Sequence, residues 1–363
     1  MTFDDIRPYT DAEIPEALRR ITEWSDFQQA IRFIYPDGDI SQIKKNLLGI
    51  TSVHQLQATL MNDAIRRIIA TTTDGFTYSG LHNLRRGAAY LFVSNHRDIT
   101  LDAFLLQHLL LEHKGDTSHI VFGDNLLSLP IMTDLFRSNK LIQMPRGGNP
   151  RAFYNSLHHL SEYLTDLVTV QHQSVWIAQK NGRAKDGVDT TAPAMIKMLT
   201  LGGGKDAMQT LANLHIVPVS ISYEWDPCDT MKATELYLSR QGSYQKAKDE
   251  DLKSVVMGII GPKGHVHLNI GVPLKPAELN PGNGLTLAEH VATLLDKRIR
   301  KGYQLMPTNY IAHSLLTGKE MHGRFTQRDK KLFLARLDTI ANPEVRQIML
   351  ETYAAPVAPI KTN

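Results

Sequence analysis

Between Val93 and Leu106 the chain reads "VSNHRDITLDAFLL", with a histidine, an arginine and two aspartates within seven positions. His96 comes just after an apolar run that reads as a buried strand. An imidazole has an unperturbed pKa close to the working pH, so at the mouth of a strand it is suited to removing a proton from an attacking hydroxyl. A carboxylate bonded to its second nitrogen would fix the tautomer and stabilise the imidazolium that forms. Asp102 suits that role. Asp98 is the nearer alternative, although its short side chain is better suited to capping the helix that follows. Each residue of an ideal helix turns by about 100°, so neither five nor six positions place two side chains on one face. His96 must therefore sit in a loop, with the aspartate in the first turns of the next helix.

Three cations, Arg146, Arg183 and Lys185, fall just past expected strand ends. α/β sheets bind their ligands there, and an arginine grips phosphate through paired hydrogen bonds. Other chemistries fit less well. "HRD" opens a kinase catalytic loop, but the asparagine that would hold magnesium is replaced by Ala103. "LGGGK" at 201–205 lacks the first glycine of a phosphate loop and reads as a flexible connector. "SISYE" lacks the G-x-S-x-G turn of serine hydrolases. His265 and His267 share a strand face without a third metal ligand, so no metal is expected.

The elements that must position these residues alternate as in an α/β protein. Expected strands are Phe76–Tyr78, Ala89–Val93, His119–Phe122, Leu141–Met144, Val175–Ala178, His215–Ser222 and His265–Ile270. Between them, "NPRAFYNSLHHLSEYL" carries an Asn cap, Pro150 at the first helical position and a stripe of Phe153, Leu157, Leu160 and Leu164. Residues 1–72 read as a helical N-terminal region, 73–280 as the α/β domain and 281–363 as a helical C-terminal extension. Thr10 with Glu13 and Thr286 with Glu289 have capping-box spacing. Hydrophobic residues make up 42% of the 363 and charged residues 21%, which allows a sizeable core. A net charge of +3 suits anionic substrates or lipid surfaces and is too small to argue for nucleic acid. The single cysteine, Cys228, points to a reducing cytoplasm. No run approaches the roughly 20 apolar residues of a membrane span, and the acidic N-terminus is unlike a signal peptide.

Several passages, in order, resemble the glycerolipid acyltransferases, the family of glycerol-3-phosphate and lysophosphatidate acyltransferases. Asn95, His96 and Asp102 resemble its N-H-x-x-x-x-D motif, with five residues rather than four between histidine and aspartate. "KLIQMPRGG" resembles the second motif, placing its arginine at Arg146. "VWIAQKNGRAKDG" resembles the third, with Gln179 or Lys180 where the family has glutamate. "IVPVSISYE" resembles the fourth, around Pro218. The resemblance covers roughly residues 76 to 275. It implies an α/β fold with a central, mostly parallel or mixed sheet flanked by helices. It further implies transfer of a fatty acyl group from an acyl-CoA or acyl-carrier-protein thioester, acting as co-substrate without other cofactor, to glycerol 3-phosphate or a lysophospholipid. His96 and Asp102 would be catalytic, and Arg97, Arg146, Arg183 and Lys185 would bind substrate. The expected setting is cytoplasmic, with peripheral contact on the inner face of the membrane. A non-catalytic lipid-binding or scaffold protein on the same fold is the rival from another class.

Overall fold

A computed structural model describes residues 2–123, 130–144, 149–242, 244–247, 249–282 and 284–357. Each apolar run becomes a strand: β1 Thr73–Ser79, β2 Leu91–Ser94, β3 His119–Gly123, β4 Leu141–Met144, β5 Val175–Ala178, β6 Val217–Tyr223 and β7 Gly264–Ile270. They form one seven-stranded sheet in the order β1-β7-β6-β2-β5-β3-β4. Every pairing is parallel except β6 with β7. β1 and β7 therefore run against the other five strands, and the sheet is mixed. β2 is central, paired with β5 through Val93 and Ile177 and with β6 through Val93 and Pro218. A strand covered on both faces needs no polar alternation, and β2 is buried throughout.

Helices cover both faces. α1 Ile14–Glu23, α2 Phe27–Ile34, α3 Ile40–Leu48, α4 Val53–Leu56 and α5 Asn62–Thr72 come first, with a π turn over Gln57–Met61 between α4 and α5. α6 Leu101–Lys114 follows β2, α7 Pro130–Arg137 precedes β4, and α8 Pro150–Thr169 leads into β5. α9 Pro193–Leu199 and α10 Ala207–Asn213 precede β6, and α11 Asp229–Arg240 and α12 Glu250–Ile260 precede β7. α13 Leu287–Gly302, α14 Pro307–Thr317, α15 Gln327–Asp338 and α16 Pro343–Ala354 follow the sheet.

Leu91, Val93, Val175 and Ile177 pack against Leu160 and Leu164 of α8, Ile196 of α9 and Val291 and Leu295 of α13. On the opposite face Phe92, Trp176, Val219 and Leu268 meet Ile65 of α5 and Leu101, Leu105 and Leu109 of α6. The N-terminal helices have their own cluster around Ile14, Leu18, Phe27 and Leu56. The C-terminal helices have another, around Ile311, Phe333, Ile348 and Tyr353, which takes in Ala233 of α11.

Local signals account for several boundaries. Asn149 caps α8 by accepting a hydrogen bond from the Ala152 amide at 2.9 Å, with Pro150 in the first turn. Thr286 and Glu289 close a capping box on α13. One expectation is corrected: "LGGGK" is no loose connector. Gly202 donates its amide to Ser161 Oγ at 2.9 Å, and a Cβ there would lie 2.2 Å from the Glu162 nitrogen. The glycine allows the turn to lie flat on α8.

Candidate active site

The loop after β2 is pinned before any chemistry is placed on it. Asn95 is fully buried and behaves like one more strand residue. Its Oδ1 accepts the Ile221 amide at 2.8 Å, and its Nδ2 donates to the Ile221 carbonyl at 3.0 Å and to Asp189 Oδ2 at 3.2 Å. His96 follows, its side chain 15% exposed, with Nδ1 2.9 Å from Asp102 Oδ2. α6 begins only at Leu101, so the loop absorbs the extra residue and Asp102 points back from the first turn of the helix. The same Oδ2 accepts the backbone amides of Arg97 at 2.5 Å and Asp98 at 3.0 Å, and Oδ1 accepts the Tyr223 hydroxyl at 2.7 Å. Burial and the Asp102 charge raise the Tyr223 phenol well above its ordinary pKa, so it stays a donor. A carboxylate held this way accepts a hydrogen bond from Nδ1–H, the tautomer that leaves Nε2 with its lone pair. Nε2 has no hydrogen-bond partner among the described residues. The edge of Trp176, at 5.6 Å and 72°, buttresses the imidazole.

Asp98 does something else. Its Oδ1 accepts the Thr100 and Leu101 amides at 2.9 and 2.8 Å, closing the start of α6, while Oδ2 is buried with no hydrogen-bond partner among the described residues. Burial, then the nearby Asp102 charge, raises its pKa.

Arg97 requires a correction. It was expected to bind substrate, but its guanidinium is 3% exposed and turned away from the cavity beside His96. It pairs with Asp189 at 2.6 Å and Asp226 at 3.2 Å and donates to the Gly187 carbonyl at 3.1 Å, with the Tyr303 ring 5.6 Å away. A buried guanidinium needs counter-charges, and two loops supply them. Lys232 of α11, itself buried, donates to the Arg97 carbonyl at 2.7 Å and also pairs with Asp226. The Asp226 amide donates to Tyr353 Oη at 2.9 Å, and that hydroxyl donates to Asp229 at 2.7 Å. The network thus ties the histidine loop to α16.

The loop after β5 carries the remaining cations. The Ala184 amide donates to the His96 carbonyl at 2.8 Å, fastening the two loops together. Arg183 and Lys185 both line the cavity with His96. Arg183 Nη2 donates to Ser254 Oγ of α12 at 3.1 Å, and its Nη1 is buried with no hydrogen-bond partner among the described residues. Lys185 pairs with Glu235 of α11. Of the two residues at the family's glutamate position, Gln179 is buried in the continuation of β5 and Lys180 lines the cavity. Gly187, at φ +75°, lets the loop lie against α16: a Cβ there would sit 2.0 Å from the Thr352 carbonyl oxygen. Arg146 lies outside the described residues.

The cavity has a volume of about 330 Å³ and is lined by two chemically different sets of side chains. One is apolar: Phe104, Phe122, Phe136, Met144, Leu157, Trp176 and Met195. The other is charged: Lys180, Arg183, Lys185 and Lys246 with Glu235, Glu250 and Asp251. Within "LLSLPIMTDLF", residues 126–129 are outside the description, whereas Phe136 belongs to the apolar set and Ile131 packs against the N-terminal cluster. Sequence reasoning missed Tyr223, Ser254, Lys232, Asp189, Asp226 and Tyr353. Only Tyr223 left a signal, a polar ring at the C-terminal end of an otherwise buried strand.

Residues 75–222 match the acyltransferase family model. No curated protein matches the chain. A solved structure, the 1-acyl-sn-glycerophosphate (LPA) acyltransferase PlsC from Thermotoga maritima, is 13% identical, covering 78% of this chain and 93% of that chain at a TM-score of 0.41, too distant a likeness to argue from. The matched residues run from β1 into the end of β6 and include His96, Asp102, Arg183 and Lys185; over that stretch the chain is similar to the acyltransferase family.

Proposed function

We propose that the protein moves a fatty acyl group from an acyl-CoA or acyl-carrier-protein thioester to a hydroxyl of glycerol 3-phosphate or a lysophospholipid, in phospholipid synthesis. One observation carries this reading: His96, its Nε2 without a partner among the described residues, lines a cavity that has both a set of apolar side chains and a set of cations in its wall. An acyl chain suits the apolar set and a phosphorylated acceptor suits Arg183 and Lys185.

In the proposed reaction Nε2 takes the acceptor's hydroxyl proton as the oxygen attacks the thioester carbonyl. Asp102 holds Nδ1–H and stabilises the imidazolium. The tetrahedral adduct then collapses: the C–S bond breaks, and the thiolate leaves with the proton held on Nε2. Acyl ester and free thiol are the products. No protein nucleophile and no cofactor beyond the donor thioester enter the scheme. No helix among the described residues is long and apolar enough to cross a membrane. Contact with lipid is accordingly proposed as peripheral, from the cytoplasmic side.

The test is to incubate the pure protein with long-chain acyl-CoA or acylated carrier protein, with and without glycerol 3-phosphate or lysophosphatidate. Free thiol and lipid product are followed together. Acceptor-dependent thiol release is expected. Tight lipid binding without thiol release from any pair would replace the reading with that of a non-catalytic lipid-binding protein.

A further inference from the structure

α12 is apolar on the wrong side for a helix that merely covers a core. Ser254 and Gly258, four positions apart, form its buried face. Ser254 holds Arg183, and Gly258 lies so close to Asp98 that a Cβ would meet Oδ2 at 2.2 Å. The first residues of the helix, Glu250 and Asp251, line the cavity. On the outward face Leu252 is 50%, Met257 46% and Ile260 47% exposed, with half-buried Val256 between them. α2 packs beside α12 and adds Phe33, 45% exposed. Large apolar side chains gathered in one patch of a water-soluble surface mark a contact site.

The charges around the patch indicate what it contacts. The acids at the start of α12 are already engaged: Asp249 with Lys253 at 2.7 Å, Asp251 with Lys246 at 2.6 Å and Glu250 with the Tyr244 hydroxyl at 2.5 Å. Arg32 of α2 and Arg67 of the adjoining α5 are exposed; among the described residues their guanidinium groups are hydrogen-bonded to backbone carbonyls, and that of Arg67 also stacks on Tyr35. Apolar residues flanked by exposed cations suit the boundary between acyl chains and anionic headgroups.

We infer that the outward face of α12, with Phe33, is the surface that seats the protein on an anionic lipid bilayer, placing the cavity mouth at the headgroup layer. The same helix that touches lipid holds Arg183, so this cation of the cavity wall lies near the phosphate-bearing headgroups. The inference rests on the acyl-transfer reading only in taking the substrate to be a lipid.

Two arms keep the two apart. In the first, the whole protein is sedimented with vesicles of phosphatidylcholine alone and with added phosphatidylglycerol. Binding should require the anionic lipid, and a combined Leu252→Ser, Met257→Ser and Ile260→Ser variant should bind at least about tenfold more weakly. In the second arm, transfer from a short-chain, water-soluble acyl thioester to glycerol 3-phosphate should be unchanged in that variant, which also shows that it folds. Failure of the wild type to sediment, equal binding by the variant, or capture of acyl carrier protein by this face without vesicle binding would overturn the inference. Vesicle binding by a wild type that transfers nothing in the second arm would leave the inference standing and defeat the functional reading.

Discussion

The two working parts of the site are assembled in opposite ways. The histidine–carboxylate pair, His96 and Asp102, is six positions apart in the chain, and the amides that fix the carboxylate come from the same loop. The cationic loop of Arg183 and Lys185 is instead held from a distance. Ser254 lies 71 positions from Arg183, and Thr352, which donates to the Lys185 carbonyl, lies 167 positions away. Chemistry common to a family can be written into a short motif. Under the proposed function the choice of acceptor would depend on how that loop is set, and the loop is held by helices outside residues 75–222. The base should therefore tolerate little change, whereas the cationic loop can be retuned from remote positions.

The largest effect should follow from breaking the local half. His96→Ala should cost about 10²- to 10⁴-fold in kcat while the circular dichroism spectrum stays unchanged. Asp102→Asn should fall in the same range, because it loses the charge that fixes the tautomer. Turnover above half of wild type in either variant would remove the pair from the mechanism. Breaking the remote half should look different. Arg183→Ala should raise the acceptor KM roughly 10- to 150-fold, the worth of a charge-assisted hydrogen bond, with the donor KM little moved. Gly187→Ala, which touches no substrate, should shift the acceptor KM in the same direction by forcing the loop off Thr352; an unshifted KM would mean that α16 does not set the loop.

Smaller effects refine the contrast. Tyr223→Phe removes one donor from Asp102 and should lower kcat about tenfold without changing either KM. Asp98→Asn keeps the cap on α6 and should leave turnover nearly intact. Because the folded-state pKa of Asp98 is raised, this group binds its proton more tightly in the fold than in the unfolded chain. Its contribution to stability is therefore lost as pH climbs from the ordinary carboxylate range through the raised value. Asp98→Asn should then match or exceed the wild-type Tm at neutral pH, with any advantage shrinking towards about pH 4. A Tm deficit that widens as pH rises would show that the ionised carboxylate has a partner that stabilises it.

What the sequence disclosed follows the same division. Buried parallel strands are continuous apolar runs, so Leu91–Ser94 and Val175–Ala178 stand out within a residue or two. His96 and Asp102 stand out because a loop and one helical turn suffice to bring them together. Arg97 was misread because an arginine beside a base looks like a substrate grip. Its counter-charges, Asp189 and Asp226, stand 92 and 129 positions away, and no local pattern links them. Ser254 and Lys232 were invisible for the same reason: a serine or lysine on a helix gains meaning only from the surface it is packed against.

Tyr353 closes the network that steadies the histidine loop, and it leaves the ribosome long after that loop does. β6 ends at Tyr223, and at about 5–20 residues per second the stretch from there to Tyr353 takes on the order of ten seconds to synthesise. During that interval the nascent chain can pair its strands and hold His96 near Asp102, but Asp226 and Gly187 have no α16 to rest on. A polypeptide interrupted in that stretch would carry an acyltransferase motif without a settled place for the acceptor. The order of synthesis thus withholds a finished site until nearly all of these helices have been made.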